Sequence, residues 1–96
     1  MKVKNNHKEF YTNFKKNLIK SQKWPGKYMF KFILKSKKIK PDFFKKYFTN
    51  HHYYMSIKES SNNNYKSITI KSNMNSPEEI IDIYKDLSKI DGIIVL

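Results

Sequence analysis

Few side chains in this chain have the type and spacing that chemistry needs. His51 and His52 are adjacent, whereas a metal site gathers three or four donors that converge on one point. A pair leaving a helix and entering a strand points in different directions, and no third donor stands at a ligand spacing. Capping of a helix end by His51 is the simpler expectation. The chain contains no cysteine, which excludes thiolate sites and disulfides. Ser60, Ser61, Ser67 and Thr69 carry hydroxyls, but a hydroxyl becomes a nucleophile only beside a base, and nothing in the sequence places one there. Glu78, Glu79, Asp82 and Asp86 read as a helix cap and a solvated face rather than as paired carboxylates for acid–base work. The chain is therefore read as a non-enzyme, with no catalytic, cofactor-binding or metal-ligating residue assigned and no cofactor expected.

What remains is charge. The 96 residues carry a formal net charge of +12. Residues 1–50 hold 15 Lys against Glu9 and Asp42, while residues 51–96 hold 5 Lys against 6 acids. A basic half beside a neutral half points towards a polyanion, with Lys31, Lys35, Lys37, Lys38 and Lys40 as the contacts. Against that, all 20 cations are Lys and none is Arg, the residue best suited to bidentate phosphate and base contacts. Ala is absent, Gly falls to 2, and residues with A/T-rich codons dominate, so mutational bias could supply much of the charge without selection for a polyanion.

The elements that would position these groups are legible. Ninety-six residues with 39% apolar and 16% aromatic side chains suit one compact core. No apolar run approaches the roughly 18 residues of a membrane span, and no apolar stretch follows the N-terminal charges, so a cytoplasmic protein is expected. After a few residues expected to lack order, Phe10, Phe14 and Leu18 at four-residue spacing, with Tyr11 and Ile19 beside them, predict an amphipathic helix over residues 7–21. Trp24-Pro25-Gly26 ends it, with Trp24 anchoring the turn. Residues 27–35 alternate, setting Tyr28, Phe30, Phe32 and Leu34 on one face of a strand and Lys27, Met29, Lys31, Ile33 and Lys35 on the other.

Pro41 then opens a predicted helix to about Asn50, with Phe44, Tyr47, Phe48 and His51 on one side. Residues 52–59 alternate again, with Tyr53, Met55 and Ile57 inward and His52, Tyr54, Ser56 and Lys58 outward. The polar residues 60–64 form a hairpin turn into a strand over 65–73, in which Ile68 and Ile70 face the core and Tyr65, Ser67, Thr69 and Lys71 face away. Ser76-Pro77-Glu78-Glu79 is a capping box with proline in the first turn. Ile80, Ile83, Tyr84, Leu87 and Ile90 form the stripe of the helix that follows. Asp91-Gly92 closes it, and residues 93–96 make a last apolar strand. The order helix, then β-α-β-β-α-β, predicts an α+β ferredoxin-like sandwich: a four-stranded antiparallel sheet with two helices on one face. Residues 1–22 are read as a helical extension and 23–96 as the ferredoxin-like domain.

Trp24-Pro25, Ser60-Ser61, Asn64-Tyr65-Lys66-Ser67-Ile68-Thr69-Ile70, and Tyr84, Leu87 and Lys89-Ile90-Asp91 resemble the YbeD-like proteins, small bacterial proteins of unknown function with an ACT-like fold. The resemblance covers about residues 22–96 and is densest over 60–91; the N-terminal helix is similar to the longer Bacteroidetes-type versions. It implies the same fold and no catalytic residues. The family is sometimes labelled a lipoate regulatory protein, which implies lipoate as a ligand. ACT domains often bind amino acids at a glycine-containing turn after the first strand; the equivalent Ser36-Lys37-Lys38-Ile39-Lys40 has no glycine.

The sheet face opposite the helices should display Met29, Lys31, Ile33, Tyr54, Ser56, Lys58, Tyr65, Ser67, Thr69 and Lys71. Such a mixture suits a protein partner or self-association, so a small regulatory or interaction module acting through that face or a strand edge is the leading expectation. Two alternatives stand beside it: salt-sensitive nucleic-acid binding through the Lys-rich half, and sensing of lipoate or an amino acid by analogy of fold and family. The sequence leaves open whether the N-terminal helix covers the face.

Overall fold

In the computed structural model the described residues are 2–35, 37–60 and 64–96, with side chains from residue 8 onward. Two α-helices, α1 (Lys2–Ser21) and α2 (Pro77–Ser88), accompany four strands, β1 (Gly26–Leu34), β2 (Tyr53–Glu59), β3 (Lys66–Met74) and β4 (Ile93–Val95). Strand order across the sheet is β2-β3-β1-β4, antiparallel throughout. This is the topology of two split βαβ units, and the chain has the expected ferredoxin-like architecture.

Alternation in β1 is the organising fact. Phe30, Phe32 and Leu34 are buried, and the register sets Phe30 against Ile70 and Phe32 against Ile68 on β3. On the far side of β3, Met55 meets Ile70 and Ile57 meets Ile68. The helix layer closes over this face through Ile80, Ile83, Tyr84 and Leu87 of α2. Ile57 is nevertheless half exposed, because β2 is an edge strand and its outer end overhangs that layer.

The connection from β1 to β2 departs from the predicted α-helix. It is a 3₁₀ run over Pro41–Tyr47, with Phe43 N–H donating to Lys40 O and Phe48 N–H to Lys45 O. The chain must cross β3 to reach the far edge. Proline in the first turn and apolar residues three and four apart are compatible with either helix type, so spacing does not separate them. The run still buries its aromatic load: Phe44 stacks flat on Phe32 with ring centroids 5.0 Å apart, and Phe48 meets Phe30 edge-on at 5.2 Å.

The N-terminal helix starts earlier than expected, at Lys2, and its phase differs. Leu18 is buried and Tyr11 and Phe14 are partly buried, while Phe10 and Ile19 are exposed. The buried stripe is therefore Tyr11, Phe14 and Leu18, at spacing i, i+3, i+7. It lies antiparallel on α2: Phe14 packs on Tyr84 with centroids 5.1 Å apart, Tyr11 Oη is 3.4 Å from Ser88 Oγ, and Lys15 Nζ is 2.9 Å from Glu78 Oε2. Glu78, expected on a solvated face, thus ties the two helices together. Trp24 anchors the turn as expected, its Nε1–H donating to Leu18 O at 2.9 Å.

At the start of α2, Ser76 Oγ accepts from Glu79 N–H at 3.3 Å, the first half of the expected capping box. The return half is displaced by one residue, since Glu79 Oε1 accepts from Asn75 N–H at 2.9 Å. At the other end Gly92 has φ 92°, a left-handed conformation that favours glycine, and its carbonyl accepts from Lys35 N–H at 2.8 Å as β4 joins β1.

Candidate functional site

Among the described residues, the side chains weighed for chemistry are engaged in separate structural contacts. His51 Nε2 lies 3.0 Å from Glu79 Oε2, so it pins the entry to β2 against the start of α2 instead of capping the end of its own segment. Its Nδ1 is buried without a hydrogen-bond partner. His52 is exposed and enters the sheet only through its carbonyl, which accepts from Asn73 N–H at 3.1 Å. Among the described residues no group of three His, Asp or Glu side chains could hold a metal ion. Ser60 Oγ accepts from Tyr65 N–H at 3.2 Å, a turn role. Ser61, with Asn62 and Asn63 of the predicted turn, lies outside the described residues, as does Ser36 of the β1–β2 connection.

The outer face of the sheet does assemble. Register sets its side chains in rows running from β2 through β3 to β1. Tyr54, Lys71 and Met29 form one row, Ser56, Thr69 and Lys31 the next, and Lys58, Ser67 and Ile33 the third, which continues to Ile94 on β4. Nine of the ten residues expected on this face are therefore strand positions there. Tyr65, the tenth, falls just before β3, where its carbonyl accepts from Ser60 N–H at 3.0 Å. Ser67 and Thr69 have no histidine or carboxylate opposite them in either neighbouring strand. Because α1 lies on α2, on the opposite side, it leaves this face open. Tyr54 is 66% exposed, Met29 and Tyr65 48% each, and Ile94 40%.

Sequence reasoning missed Ile94. Four consecutive apolar residues at 93–96 show no alternation, so neither face can be assigned until β4 is paired; opposite Ile33, Ile94 must share its side. Pairing this last strand with β1 and extending the alternation of β1 would have found it.

At the β4 end the face sinks into a depression of about 430 Å³. Ile33, Ile94 and Tyr65 are its apolar lining residues, Ser60 and Ser67 its hydroxyls, Lys35 and Lys58 its cations and Glu59 its carboxylate. Among the described residues, the outward positions of the four strands hold Lys27, Lys31, Lys58 and Lys71 and no acid. The remaining predicted polyanion contacts, Lys37, Lys38 and Lys40, are exposed beyond the end of β1.

Fold and face together define a ferredoxin-like α+β domain whose sheet is open on one side. The family described as protein of unknown function DUF493 matches residues 20–96, and the chain belongs to that family, which includes the YbeD-like proteins. Neither the curated proteins nor the solved structures provide a match. Among the described residues no helix is long and apolar enough to cross a membrane.

Proposed function

We propose that this chain is a non-enzymatic regulatory or interaction module that binds its partner through the outer face of the sheet. The observation that supports this reading best is the placement of α1. An amphipathic helix was available in the chain to cover the sheet, yet its apolar stripe is spent on α2, leaving Met29, Ile33, Tyr54, Tyr65 and Ile94 on or beside an uncovered surface. Exposed apolar side chains interspersed with polar and cationic ones are the composition of a docking surface rather than of an inert one.

A photo-crosslinking amino acid at Thr69, in the centre of the face, should yield discrete adducts in host cells. The same residue at Lys16, exposed on α1, should yield few. Absence of adducts at Thr69 under conditions where the protein is folded and abundant would overturn the reading.

A second reading, electrostatic binding of single-stranded nucleic acid, is favoured by the absence of acids from the outward strand positions. It requires affinity for an oligonucleotide that falls linearly with the logarithm of salt concentration.

A further inference from the structure

We propose that the partner received by the outer face is an acidic, amphipathic segment of another protein, which seats an apolar side chain between Ile33 and Ile94 and its carboxylates on Lys58, Lys31 and Lys71. This rests on the reading of the outer face as the binding surface and adds the chemistry of what binds.

The register carries the argument. Along β1 the outward residues Lys27, Met29, Lys31 and Ile33 alternate cation with apolar side chain, Lys71 stands between Tyr54 and Met29 in their row, and Lys58 lies across Ser67 from Ile33. Strands lie about 4.8 Å apart and successive outward residues about 6.8 Å, so cation and apolar side chain alternate at the spacing of side chains on one face of a helix or strand. A partner presenting acids and apolar residues at that period satisfies both at once. The depression at Ile33, Ile94 and Tyr65 offers its anchor, with Lys35 and Lys58 against the single acid Glu59 among its charged lining residues.

A second copy of the chain is a poor occupant. It would bring a face bearing Lys27, Lys31, Lys58 and Lys71 against the same four cations, with Glu59 at the depression the one carboxylate among the described residues lining the face, and like charges across an interface oppose association. Nucleic acid fits less well too. Stacking wants rings at neighbouring positions, but Tyr54 and Tyr65 stand at opposite ends of the β2–β3 pair: Tyr54 opposes Lys71, and Tyr65 is bonded to Ser60 six residues further along. That separation is about 20 Å. Ser56, Lys58, Ser67 and Thr69 lie between them and carry no ring, while Met29, Ile33 and Ile94 offer no π face.

The test is fluorescence anisotropy with the full chain and three labelled probes: a soluble amphipathic peptide presenting Glu and Leu on one face, its counterpart with Lys for Glu, and oligothymidylate. The Glu peptide should bind, more weakly as salt rises, and the Lys peptide should not. Lys31→Glu with Lys58→Glu, and separately Ile94→Asp, should each weaken binding about tenfold or more while the thermal midpoint stays near that of the unaltered protein. Tighter binding of oligothymidylate than of the Glu peptide, equal binding by the double variant, or a concentration-dependent dimer dissolved by Ile94→Asp would each overturn the proposal. If the Glu peptide fails to bind while Thr69 still gives crosslinks, the acidic partner is wrong and the binding face stands.

Discussion

Phe30 lies within contact distance of Tyr28, Phe32, Phe48 and Tyr84, with ring centroids 4.9 to 5.9 Å away. Replacing it with alanine removes one member of each pair and leaves a cavity that close-packed neighbours fill poorly. Phe30→Ala is expected to lose about 3–5 kcal/mol in urea unfolding, a large share of the about 5–15 kcal/mol that holds a small domain together. Tyr84 supplies a second test at this scale. Its hydroxyl is 3.0 Å from Tyr28 Oη and donates to Leu96 O at 3.3 Å. Burial, and then its hydrogen bond with Tyr28, hold its pKa well above the ordinary phenol value of 10.0. The folded state thus keeps this proton more tightly than the unfolded chain does, so the associated stability is complete below pH 10 and is lost as pH rises beyond it. Unfolding followed from pH 9 to 11 should show that decline, and Tyr84→Phe should flatten it. The opposite sign applies to Glu78, whose pKa is lowered chiefly by its bond to Lys15. Its contribution is present above the ordinary carboxylate range and fades on acidification, and Lys15→Met should remove the acid-dependent part.

The two α-helices are held by different devices. The start of α2 is organised by a few polar contacts: Ser76 caps Glu79 N–H, and Glu79 in turn receives Asn75 N–H and faces His51. Ser76→Ala should cost about 1 kcal/mol in chemical unfolding; a loss within error would show that Glu79 alone holds the turn. Attachment of α1 depends instead on which of its faces is buried. Leu18→Ala should cost about 2 kcal/mol or more, as expected for a buried leucine, while its neighbour Ile19→Ala should stay within about 0.5 kcal/mol, as surface substitutions do. Equal effects at the two positions would mean that the helix lies on α2 in another rotation.

Across the molecule, stability and binding occupy opposite sides of one sheet. Phe30, Phe32 and Leu34 of β1 and Ile68, Ile70 and Met74 of β3 are buried inward residues, so their substitution destabilises the fold, whereas the exposed outward residues tolerate change because nothing is packed on them. Met29→Ser and Tyr54→Ser should therefore each shift unfolding by no more than about 0.5 kcal/mol, and together they should diminish crosslinking at Thr69. A fall in stability of several kcal/mol would mean instead that the face contributes to the fold. The basic half of the chain is divided by the same sheet: Lys27 and Lys31 lie on the open face, while Lys15 on α1 is engaged with α2. The net charge of +12 therefore overstates what a partner meets.

Local pattern was enough for the strands, the second helix and the ferredoxin-like order, because period-two alternation and an N-cap are properties of neighbouring residues. The amphipathic character of α1 was equally plain, but Phe10, Tyr11, Phe14, Leu18 and Ile19 cover too wide an arc for spacing alone to choose the buried stripe. Contact with Tyr84 and Ser88 made that choice. The 3₁₀ geometry of Pro41–Tyr47 was not legible in the segment, because a leading proline and apolar residues three and four apart suit either helix type. His51 found its carboxylate 28 residues away, and Ile94 acquired a face only by pairing with Ile33. The sequence alone determined the strands, the order of elements and most residues of the outer face; tertiary structure decided that α1 leaves the face open, because its apolar stripe finds its partner on α2, on the other side of the sheet.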